Sequence, residues 1–156
     1  MRLSDYKGKR IDVDSGFKYY PAIRYDLQQL VIKLVRDRGM LADLNDIYTG
    51  NIIDMSNLFN NYDLMMFNGD ISEWDMSNVN YTCDMFKNTM FRGDHSDLSH
   101  WDMHNVVDAG GMFMNSMMAN DDVEKWKMNR KCNVTDMFTG SPMGRHLPRW
   151  YKTMVK

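Results

Sequence analysis

The most regularly placed carboxylates in this chain are Asp75 and Asp102, each directly after a tryptophan, and Asp70 and Asp94, each closing a Phe-x-Gly-Asp segment. Stacked in columns, such groups can hold Ca²⁺, but that ion takes about six to eight oxygens, and Lys127 stands where the next carboxylate of the first column would be. An Asp beside a turn also accepts hydrogen bonds from backbone N–H groups, and turn capping is the role this spacing favours. His95, His100 and His104 form a second cluster, with Asp97 and Asp102 nearby. Zinc requires tetrahedral convergence; the spacing is irregular and no cysteine joins, so these read as surface histidines. Cys83 and Cys132 are the only thiols. They occupy different positions of a repeat, which argues against a bridge and for a chain that lives reduced. Ala109-Gly-Gly-Met112 lacks the glycine spacing of a phosphate-binding loop, and no Gly-x-Ser-x-Gly elbow occurs. The chain reads as non-enzymatic, with no cofactor and no metal.

These groups are positioned by a repeat. Trp74-Asp-Met-Ser-Asn-Val79 leads to Met85-Phe86, Trp101-Asp-Met-His-Asn-Val106 to Met112-Phe113, and Trp126-Lys-Met128 to Met137-Phe138. A degenerate first copy runs from Ile47 through Ile52 to Leu58-Phe59. The closing phenylalanines at 59, 86, 113 and 138 give steps of 27, 27 and 25 residues. A unit of that length cannot bury its own apolar face and must stack on its neighbours. Trp and Met two residues apart share one face of a short strand. Val79, Thr82, Cys83 and Phe86 then follow at i, i+3, i+4 and i+7, the face of a short helix, with Cys83 packed inward. The predicted fold class is therefore α/β: a leucine-rich-repeat-like solenoid of about four strand–turn–helix repeats of 25–27 residues. The 17 methionines read as core filler.

Residues 1–20 are charged and read as an extended lead-in. Pro21–Arg38 is predicted to be an amphipathic helix with Ile23, Leu27, Leu30, Val31 and Leu34 on one stripe, stopped by Gly39 and covering the open N-terminal end of the stack. The division is 1–43 lead-in and cap, 44–141 repeats, 142–156 basic C-terminal cap. No secretory signal or membrane span is evident, which gives a cytoplasmic expectation. The net charge of −2 conceals a division: residues 44–141 carry 15 acidic and 6 basic side chains. That balance argues against direct nucleic-acid binding by the repeats.

The block Phe67-Asn-Gly-Asp-Ile-Ser-x-Trp-Asp-Met-Ser-Asn-Val79, followed by Asp84-Met-Phe86, resembles the repeat of the BspA-like leucine-rich-repeat proteins of bacteria and their phages. The resemblance covers residues 20–140 and implies a non-enzymatic repeat protein with a buried Asn column at Asn78 and Asn105. The function expected is engagement of a host or viral protein partner by a phage- or bacterium-encoded scaffold. Glu73, Asp75, Ser77, His100, Asp102, His104, Lys125 and Lys127 would present the contact face, with Asp70 and Asp94 beside it. Two alternatives stand beside this: a counter-defence inhibitor whose acidic surface mimics nucleic acid, and a surface or virion-attached adhesin. The oligomeric state stays open.

Overall fold

The structure, a computed structural model, describes residues 16–155, so most of the expected lead-in lies outside the described residues. The repeat period appears as backbone register. Asp54 pairs with Tyr81, Tyr81 with Asp108 and Asp108 with Asn133, all in parallel. Alternate N–H groups then donate to carbonyls of the following layer, or rung. Met55, Asn57 and Phe59 donate to Tyr81, Cys83 and Met85 at 2.8, 3.0 and 2.9 Å. Thr82, Asp84, Phe86 and Asn88 donate to Asp108, Gly110, Met112 and Met114 at 2.9, 3.0, 2.8 and 3.0 Å. Ala109, Gly111, Phe113 and Asn115 donate to Asn133, Thr135, Met137 and Thr139, each at 2.8 Å.

The rungs are not strand–turn–helix units, and the predicted solenoid of such units is corrected. Among the described residues there is no strand, only bridges of one residue, and the repeats contain no α-helix. The two α-helices, α1 (Arg24–Arg38) and α2 (Arg149–Met154), flank them, and two short 3₁₀ turns occupy Asp121–Lys125 and Pro142–Arg145. The cause is local. Three residues past each bridging residue the backbone turns left-handed, at Asn57 (φ 57°), Asp84 (54°), Gly111 (63°) and Asp136 (55°). A second such column follows at Asn88 (61°), Asn115 (55°) and Gly140 (76°). One left-handed residue ends a right-handed helix and turns an extended segment out of its ladder, and Gly, Asn and Asp are the residues that tolerate it. The inward set is therefore Val79, Thr82, Met85 and Phe86; Cys83 is only half-buried.

Inside the stack, identical side chains meet. Phe59, Phe86, Phe113 and Phe138 lie nearly parallel in sequence, with centroids 4.9, 5.3 and 5.7 Å apart. Beside them each indole reaches back to an earlier rung. Trp74, Trp101 and Trp126 donate Nε1–H to the carbonyls of Leu44, Ile71 and Leu98 at 3.0, 3.3 and 2.7 Å. Trp150 in α2 continues the series to Val123 at 2.8 Å. A buried indole needs such an acceptor. The methionines divide. Met55, Met76, Met85, Met103, Met112, Met118, Met137 and Met143 are core, but Met65, Met90 and Met117 are 37%, 39% and 37% exposed.

The ends are closed differently. α1 starts three residues after Pro21, leaves Ile23 exposed and buries Leu27, Leu30, Val31, Leu34 and Val35. Gly39 ends it at φ 95°. The first rung's carbonyls have no preceding rung, and α1 supplies donors: Arg24 to Ser56 at 3.1 Å and Gln28 to Leu58 at 3.0 Å. Arg38 fixes the helix end through paired bonds to Asp46 at 2.9 and 2.8 Å. At the far end, Tyr151 packs edge-on against Phe138 at 5.2 Å.

Two stability outcomes follow from the packing. Thr82 is fully buried and its hydroxyl has no hydrogen-bond partner among the described residues. Thr82→Val keeps the shape and removes an unpaired polar atom, so the urea midpoint should rise by an equivalent of about 1 kcal/mol. Phe86→Ala opens the middle of the ring column and should cost about 3–5 kcal/mol in the same denaturation experiment.

Candidate functional surface

Outward side chains alternate with the buried Trp74, Met76, Trp101, Met103 and Trp126 and with the half-buried Met128. Glu73, Asp75, His100, Asp102, His104, Lys125 and Lys127 are exposed and Ser77 is partly so. The alternation expected from the sequence holds although no strand carries it. The acidic members cap turns. Asp75 accepts from the Ser77 N–H at 2.9 Å and its hydroxyl at 2.6 Å, and Asp102 accepts from the N–H and the ring nitrogen of His104. Each carboxylate thus holds its neighbour two residues on, and the Glu73 N–H is held by Asn45 at 2.8 Å. Asn78 and Asn105 donate to the carbonyls of Gly50 and Ser77 in the preceding rung at 2.7 and 2.6 Å. They bond as the resemblance implies, but both are exposed rather than buried.

The second acidic column is not the one the sequence suggested. Asp70 pairs in register with Asp43 and caps Ser72 through bonds of 3.0 and 2.6 Å. Its counterpart one rung on is Asp97, which holds Ser99 at 3.0 and 2.6 Å. Asp94 instead accepts from Asn68 at 2.7 Å. The sequence carried the signal: Asp43, Asp70 and Asp97 each stand four residues before Ile47, Trp74 and Trp101, whereas Phe91 lies only five residues after Phe86 and Phe67 lies eight after Phe59. The two Phe-x-Gly-Asp segments are therefore three residues out of register with each other in the repeat.

The histidines do not converge. His95, His100 and His104 each sit beside a separate aspartate, with His95 3.9 Å from Asp94 and His100 3.8 Å from Asp97. Among the described residues no group of three or more His, Cys, Asp or Glu is arranged to hold a metal ion. Cys83 Sγ lies 3.1 Å from Ser56 Oγ, and burial pushes the Cys132 thiol up to about 11, so it stays protonated. No helix among the described residues is long and apolar enough to cross a membrane.

The caps also set charge. The His104 bond holds the Asp102 carboxyl below the usual carboxylate range, and the Arg38 bond does the same for Asp46. At Asp70 burial opposes ionisation, yet the Ser72 hydroxyl and N–H together with Asn45 carry the carboxyl downward. A carboxyl depressed in the fold stabilises it above its unfolded value, about 3.9, and loses that contribution as pH falls through the folded value. The urea midpoint should therefore be level above about pH 5 and fall steadily towards pH 3. Asp70→Asn combined with Asp46→Asn should make that fall shallower.

No curated protein and no solved structure matches the chain. Residues 27–150 match the family described as Mycoplasma protein of unknown function, DUF285, a span that takes in α1 after its first three residues, every rung and the start of α2. The chain belongs to that family.

Proposed function

We propose that this protein is a non-enzymatic, cytoplasmic protein-binding module, phage- or bacterium-encoded, that engages a host or viral protein. The contact face is Glu73, Asp75, Ser77, His100, Asp102, His104, Lys125 and Lys127, flanked by Asp70 and Asp94. One observation carries the reading: the outward carboxylates of two successive rungs, Asp75 and Asp102, are already tied down by capping bonds to Ser77 and His104. Ordering flexible side chains costs about 0.5–1.5 kcal/mol each on binding, and a face ordered beforehand avoids that cost. The resemblance of residues 67–79 to the repeat of BspA-like proteins is in keeping with a binding role.

A second reading is a counter-defence inhibitor whose carboxylates imitate nucleic acid. It is favoured by the register of Asp43, Asp70 and Asp97, which places one carboxylate on each of three successive rungs. Rungs about 4.8 Å apart offer a line of negative charge to a basic groove.

Wild-type protein and an Asp75→Lys/Asp102→Lys variant, immobilised and exposed to lysate of the native host, test the first reading. The same protein should be retained by the wild type and lost from the variant, a weakening of at least about tenfold, or about 1.4 kcal/mol. Specific capture that survives both charge reversals, or no specific capture, contradicts it. Elution across about 0.1–0.5 M salt marks the second reading, because exposed charge pairs are screened over that range.

A further inference from the structure

Every interior rung spends its N–H groups on the rung after it. Phe86 and Phe113 donate to Met112 and Met137 at 2.8 Å, and Asn88 and Asn115 donate to Met114 and Thr139 at 3.0 and 2.8 Å. Phe138 and Gly140 occupy the same two positions of the last rung, yet among the described residues no acceptor takes their N–H groups. The N-terminal cap spends side chains on the exposed backbone, through Arg24 and Gln28. The C-terminal cap spends only the Trp150 indole, on the Val123 carbonyl; against Phe138 it sets the rings of Trp150 and Tyr151, at 6.2 and 5.2 Å, and it leaves the Phe138 and Gly140 N–H groups without an acceptor among the described residues, beside a cleft that both residues line.

That cleft has a volume of about 750 Å³ and is walled by Phe138, Gly140, Met117, Leu147 and Tyr151. Its rim is basic. Arg145 and His146 line it, Lys152 follows Tyr151 on α2, and the sequence holds no Asp or Glu after Asp136. Arg149 is paired with Glu124 at 3.8 Å, whereas Arg145 and Lys152 have no acidic partner among the described residues. Asp136, two residues before Phe138, accepts from the Thr139 hydroxyl at 3.0 Å.

We propose that this end of the stack binds an extended acidic peptide segment of a partner protein, seated as one more rung. Donors two residues apart on one edge match the carbonyls of an extended chain, which repeat with the same period. Alternate side chains of that chain would enter the apolar cleft, and the intervening carboxylates would meet Arg145 and Lys152. This surface lies at the C-terminal end and is separate from the outward face assigned above, so either assignment stands or falls without the other.

The test uses the full chain labelled with ¹⁵N and the probe acetyl-Val-Asp-Val-Asp-Val-Asp-amide. In the free protein the Phe138 and Gly140 amides should exchange with solvent at least about tenfold faster than those of Phe86 and Phe113. Added probe should shift and slow those two amides, the Lys-for-Asp version should not, and Arg145→Glu/Lys152→Glu should weaken the probe at least about tenfold. Four results overturn the proposal. They are equal protection of Phe138 and Gly140 in the free chain, no shift at those amides with about millimolar probe, equal binding of the Lys peptide, and protection that rises with protein concentration alone, which would mark a second copy as occupant.

Discussion

Backbone donors of one layer meet backbone acceptors of the next, and the other features of this protein follow from that directional pairing. A chain that climbs one rung every 25–27 residues needs sharp turns, and the turns place Asn57, Asp84, Gly111 and Asp136 in a conformation that most side chains avoid. Register then brings like side chains together, which is why four phenylalanine rings lie nearly parallel at about the separation of two neighbouring strands. The pairing also has a direction, so the two ends are chemically unlike. One presents carbonyls and is closed by α1 with an arginine and a glutamine; the other presents N–H groups and is closed mainly by rings.

Such a scaffold places its outward groups without the help of regular secondary structure. Aspartates that looked like ligands in the sequence are spent on neighbouring serine, histidine and backbone donors, which fixes the turns, and at Asp97 and Asp102 those bonds hold the carboxyl below the usual carboxylate range. The methionines serve two purposes. Those inside fill the spaces left around the aromatic column, where a flexible thioether adapts to irregular gaps. Met40, Met65, Met66, Met90 and Met117 are exposed instead, which core filling does not account for.

The period, the inward Trp and Met, the stacked phenylalanines and the covering helix were all legible in the sequence, because burial imposes a spacing that composition cannot hide. The kind of local structure was not. Val79, Thr82 and Phe86 keep helical spacing by coincidence, since a three-residue turn also returns inward after three residues, and the left-handed residue between them is invisible to a periodicity count. Asp97 was missed because a shortened loop after Phe86 and a lengthened one after Phe91 cancel in the total, leaving the period intact while moving Asp94 out of line. That Trp150, expected in the C-terminal cap, also continues the tryptophan series was hidden for a related reason. It comes 24 residues after Trp126 and on a helix, yet it makes the same indole-to-carbonyl bond as the three before it.

The stacking itself is most directly tested by ring-to-ring nuclear Overhauser contacts in protein labelled with ¹³C only at phenylalanine, assigned by single substitutions. Contacts are expected between Phe59 and Phe86, Phe86 and Phe113, and Phe113 and Phe138, with none between Phe59 and Phe113. Absence of contacts between rings one period apart, in a protein that otherwise melts cooperatively, would contradict it.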